Sequence, residues 1–71
     1  MDRKYRATYH RYFNVYIEDF DTAQDAAQFL LDGEDDGALS FDSITDPDGN
    51  IIATDAVPGY ESLYALGAVH D

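Results

Sequence analysis

The densest chemistry in this chain is Asp32-Gly33-Glu34-Asp35-Asp36-Gly37-Ala38-Leu39-Ser40, where oxygen-bearing side chains stand at alternate positions and a glycine stands at the sixth. That is the outline of a calcium loop over residues 32 to 43, with Asp32, Glu34 and Asp36 as ligands. Its twelfth position holds Ser43 instead of the bidentate glutamate, and the residues that follow read as a strand and not as an exiting helix. A solvated acidic loop after a helix is the plainer account, so no metal or cofactor is expected, and a calcium-binding module is the alternative.

General acid-base work needs a carboxyl held in apolar surroundings that raise its pKa. No acid here is flanked by such residues on both sides. The hydroxyls of Ser40, Ser43 and Ser62 have only His10 and His70 as bases, and neither spacing nor context pairs them. The chain therefore reads as a non-enzyme.

Tyr5, Arg6, Tyr9, His10, Arg11, Tyr12 and Tyr16 interleave residue types that stack on bases and neutralise phosphates in single-strand binders. Four cations make a weak trap beside so many acids. Cross-strand aromatic packing, with the arginines neutralising the protein's own carboxylates, accounts for the same pattern. Direct nucleic-acid binding is not expected.

What remains is charge. Arg3, Lys4, Arg6 and Arg11 are the only cations, and Tyr12 to Asp71 contains no Lys or Arg but fourteen of the fifteen acids, giving a net of −11. Eleven of those acids lie in residues 18 to 48. Such a surface is repelled by anionic lipid and phosphate backbones, both of which need cationic contacts. Strand spacing of about 6.5 to 7 Å between alternate side chains would set Asp42, Asp46 and Asp48 in a row. With Asp21, Asp25 and Asp32 on a helix and Glu34, Asp35 and Asp36 in the loop, one extended negative face would result. Salt adaptation spreads acids evenly, whereas a target-seeking face gathers them, and these are gathered.

The elements that must position these groups are short. Seventy-one residues make a single domain with a thin core, burying only about 60% of the unfolded surface. The absence of cysteine removes disulfides and thiolate metal clusters and suits a cytoplasmic setting. No run approaches the roughly 20 apolar residues that cross a bilayer. An apolar content of 45% argues for a folded chain.

Residues 11 to 17 alternate, with Phe13, Val15 and Ile17 on one face, and predict a half-buried strand. The same parity runs back through Tyr9, Ala7 and Tyr5. No Gly or Pro marks a turn, so residues 4 to 10 read as an extension of that strand more readily than as a hairpin partner. Asp21 or Thr22 caps a helix whose apolar stripe is Ala23, Ala26, Ala27, Leu30 and Leu31, with Gly33 as its stop.

Strands follow near Ser40 to Thr45 and Asn50 to Thr54, joined by Asp46-Pro47-Asp48-Gly49 with the composition of a type I turn closed by a bulge. Tyr60 to Ala68 could add a short helix at the sheet's edge, weakened by Gly67. The order strand-helix-strand-strand, with a short C-terminal helix, describes an α+β domain: one helix on a three- to four-stranded, mainly antiparallel sheet.

Phe20-Asp21-Thr22, the Ala/Leu helix, Gly33-Glu34-Asp35-Asp36-Gly37, Leu39-Ser40, Ile44 and Asp46-Pro47-Asp48-Gly49 together resemble small acidic proteins of unknown function from actinobacteria and their phages. The resemblance covers about residues 11 to 52. It implies a small cytoplasmic accessory protein and transfers no catalytic or binding residue. The expectation is a protein-binding module that engages a basic surface, such as a nucleic-acid-mimicking inhibitor of phage or host origin acting on a nucleic-acid-binding protein. A structural accessory domain adapted to high salt is the further alternative.

Overall fold

The computed structural model describes residues 4–69. Four strands, β1 (Tyr5–Arg11), β2 (Asn14–Phe20), β3 (Ser40–Thr45) and β4 (Ile51–Thr54), form one antiparallel sheet in the order β2-β1-β3-β4. Helix α1 (Ala23–Asp35) covers one face, and a short α2 (Glu61–Ala65) follows a 3-10 turn at Pro58–Tyr60. This is the expected α+β arrangement, with one strand more before the helix than the sequence order suggested.

That extra strand corrects the reading of residues 4 to 17. Instead of one extended strand, β1 and β2 form a hairpin around Tyr12-Phe13, paired from Arg11↔Asn14 through Tyr9↔Tyr16 to Tyr5↔Phe20. Tyr12 takes φ 60°, a conformation that glycine or asparagine usually supplies at this point of a two-residue loop. The bend therefore has no compositional signature.

It also reverses parity, since odd positions of β1 share a face with even positions of β2. Ala7 and Tyr9 face the helix and are buried, but Val15 and Ile17 point to the opposite face and are 57% and 56% exposed. The half-buried strand is β1, and β2 is an exposed edge.

Helix α1 begins at Thr22, whose Oγ1 accepts the Asp25 N–H at 3.1 Å. Ala26, Ala27, Leu30 and Leu31 are fully buried against Ala7, Phe41, Ile44 and Ala53, with Leu63 of α2 closing the end of this core. Phe29 adds ring contacts to Tyr9 and Phe20 at centroid distances of 5.5 and 5.2 Å.

The helix does not stop at Gly33 as expected. It runs to Asp35, and Gly37 at φ 70° terminates it, with Ala38 N–H donating to the Gly33 carbonyl and Gly37 N–H to that of Glu34. Gly67 closes α2 in the same way, Ala68 N–H donating to Leu63 O and Gly67 N–H to Tyr64 O. The expected turn at 46 to 49 forms, with Gly49 N–H donating to Asp46 O and Gly49 at φ 92°.

Candidate functional site

Helix α1 carries Asp25, Asp32, Glu34 and Asp35, with Asp36 as its C-cap and no cation anywhere along it. At about 100° per residue, Asp25, Asp32 and Asp36 fall within about 20° of a single line, spaced by about 10 Å and then about 6 Å along the axis. Asp25 sits in the first turn, where the helix dipole favours a carboxylate. Asp32, Asp35 and Asp36 gather at the other end, where that dipole is negative, and the last turn has no base.

Asp32 and Asp36 also stand four residues apart, a spacing at which like charges repel. Gln28 Nε2 donates to Asp32 Oδ1 at 3.0 Å. Asp32 and Asp36 share a cleft of about 400 Å³ with Glu18, Phe29, Leu39 and Arg11, the one cation among the described residues that lines it.

Glu34 has a different role from its neighbours. It lies about 200° round the helix from Asp32, and both oxygens are used internally: Oε1 accepts the Phe41 N–H at 2.7 Å and Oε2 the Tyr60 hydroxyl at 2.8 Å. That hydrogen bond first, and then the nearby charge of Glu34, push the Tyr60 phenol above its ordinary value. Glu34 thus ties α1 to β3 and the 3-10 turn. The same geometry departs from the calcium outline: residues 32 to 35 are helical, and Glu34 is turned away from Asp32 and Asp36 to Phe41 and Tyr60.

The remaining predicted residues lie elsewhere. Asp21 pairs with Lys4, and Asp42, on the bulge where β3 meets β1, approaches His10 Nδ1 at 2.6 Å. Strand β3 ends at Thr45, so Asp46 and Asp48 belong to the turn and the expected carboxylate row with Asp42 does not form. Asp46 Oδ1 accepts the N–H groups of Asn50 at 2.8 Å and Asp48 at 2.9 Å. The Asn50 amide foremost, then the other turn donors, holds the Asp46 carboxyl below the usual range.

The turn lies beside Tyr5, at the end of the sheet where α1 begins, roughly 20 Å from Asp36. The nine predicted acids therefore divide between two ends of the molecule and a bulge, instead of sharing one face.

Part of the aromatic and basic set of the first hairpin is used within the fold, while Arg11 and Tyr12 are exposed. Tyr9 stacks on Tyr16 with centroids 5.6 Å apart, and Arg6 Nε donates to Asp19 at 3.3 Å. Three features escaped the sequence reading: the Glu34 clamp, the His10–Asp42 pair and the hairpin tip, where Tyr12 and Phe13 are 88% and 101% exposed. The first two join residues distant along the chain and have no local signal. The tip has none either, since Tyr12 and Phe13 stand in the middle of an alternating run with no turn residue beside them.

Among the described residues no helix is long and apolar enough to cross a membrane. Compared with models of known protein families, with curated proteins and with solved structures, the chain finds no match in any of the three.

Proposed function

We propose that this protein is a non-enzymatic binding module whose contact surface is the acidic line of α1, chiefly Asp32 and Asp36 with Asp25 behind them, and whose partner is a basic protein surface. The observation that carries this reading is the placement of carboxylates at the negative end of a helix dipole, four residues apart, with no base in the last turn. Local helix energetics disfavour that arrangement, and a cationic partner relieves it. Asp32 and Asp36, one turn apart, offer charges at a step comparable with neighbouring backbone phosphates, which suits the groove of a nucleic-acid-binding protein. Such an encounter is accelerated by electrostatic attraction and weakened by salt over a screening length of about 8 to 10 Å.

The test is capture from a lysate at low and high salt, using the wild-type protein and Asp32→Lys/Asp36→Lys. Basic proteins retained at low salt, released at high salt and lost by the double variant are the expected result. Recovery unchanged by the two reversals would refute this surface. Glu34 is left intact because its loss would perturb the fold itself.

A further inference from the structure

The two edges of the sheet are built differently. Strand β4 has four residues, a bulge beside Thr45, and Ser62 Oγ donating to the Thr54 carbonyl at 3.0 Å. Strand β2 has seven residues with no Pro, Gly, Lys or Arg and no bulge in its pairing with β1, and its charges, Glu18 and Asp19, are confined to its second half, so the stretch from Asn14 to Ile17 is an open, uncharged edge.

The Arg11↔Asn14 pair closes a two-residue loop and is a hydrogen-bonded pair, and antiparallel alternation then turns the backbone groups of Val15, Ile17 and Asp19 outward. Val15 and Ile17 are also exposed on the uncovered face of the sheet.

Charge selects the occupant. Residues 4 to 20 carry Lys4, Arg6 and Arg11 against Glu18 and Asp19, a net of +1, whereas residues 21 to 69 carry eleven acids and no Lys or Arg. The hairpin is therefore the least anionic stretch of the described chain, and of the two acids that β2 itself brings to a second copy, Asp19 accepts from Arg6 at 3.3 Å.

We infer that two copies join through β2, antiparallel about a two-fold axis at Ile17, extending the sheet across both molecules. In that register Ile17 faces Ile17, Val15 faces Asp19 and Tyr16 faces Glu18, so no like charges stand opposite one another.

Sedimentation equilibrium over a range of protein concentrations tests this, with folding of each variant checked by circular dichroism. The wild-type protein is expected to reach twice its 7.9 kDa mass, and to associate more tightly as salt screens the acidic bodies. Ile17→Lys sets two cations face to face and should give a monomer, while Val15→Lys sets each cation against Asp19 of the other copy and should preserve the dimer. A wild-type monomer at all concentrations, a dimer that loosens with salt, an Ile17→Lys dimer or a Val15→Lys monomer would each overturn the pairing. Hydrogen exchange of the wild-type protein needs no variant: the amides of Val15, Ile17 and Asp19 should gain protection with concentration, and concentration-independent exchange there would equally reject it.

Discussion

Leu39 fills the space that a side chain at Gly33 would need: a Cβ placed on Gly33 would stand 2.6 Å from Leu39 Cγ. The glycine lies inside the helix because the chain leaving α1 folds back onto it on the way to β3. Ala is normally preferred to Gly in a helix by about 1 kcal/mol, but overpacking costs roughly 1–3 kcal/mol. Gly33→Ala should therefore lower stability by about 1 kcal/mol net in chemical denaturation, and Leu39→Ala in the same chain should recover part of that loss as positive coupling.

Asp36→Lys should act in the opposite direction on the isolated protein. It replaces an anion by a cation at the negative end of α1 and removes the repulsion with Asp32, a gain of about 0.3–1 kcal/mol at low salt that shrinks as salt is added. A melting temperature raised while salt-sensitive capture is lost would show that the acidic end is maintained at the expense of stability. A lowered melting temperature would contradict the dipole argument.

Tyr60 supplies an alkaline signature. Its folded pKa is raised, so its contribution to stability is complete below the ordinary tyrosine value of 10.0 and is lost as pH rises through the higher folded value. Phenolate absorbance followed during base titration should show two late-ionising tyrosines, Tyr60 and Tyr9, whose phenol burial also pushes up, and Tyr60→Phe should remove one of them. Glu34→Ala should cost more stability than Tyr60→Phe, because it also leaves the Phe41 N–H without its acceptor.

Asp46 gives the acid counterpart. Its folded pKa is lowered by the turn amides, so its contribution is present above the unfolded aspartate value and is lost as pH falls through the depressed folded one. Carboxyl chemical shifts followed by NMR should place Asp46 among the last aspartates to protonate. Asp46→Ala should destabilise the β3–β4 turn at neutral pH and remove that late titration.

Where local chemistry determines local shape, the sequence was readable. A cap at Asp21 or Thr22, which the structure places at Thr22, the Ala26, Ala27, Leu30 and Leu31 stripe, and Asp46-Pro47-Asp48-Gly49 as a turn each depend on residues within a few positions of one another. The hairpin was not readable, because Tyr12 adopts a backbone conformation that its residue type does not advertise. Gly33 and Gly37 present the same residue twice within reach of the helix end. Only the tertiary contact with Leu39 shows that the first is a packing site and the second the stop.

For the candidate surface, helical spacing correctly put Asp25 and Asp32 on one side. Glu34 could not be separated from its acidic neighbours without knowing that Phe41 and Tyr60 arrive beside it.

The central position of β1 governs the order in which this chain can mature. Ala7 meets Ile44 only after 37 further residues have been made, although its other neighbour, Glu18, follows soon after it. A nascent chain emerging amino end first thus presents a two-stranded ribbon and then α1, without the strand that flanks Ala7 on its other side, and so small a sheet is marginal in water. Productive collapse waits for the third strand to leave the ribosome, so truncated chains ending before Ile44 should be captured by chaperones or degraded, not persist as stable fragments.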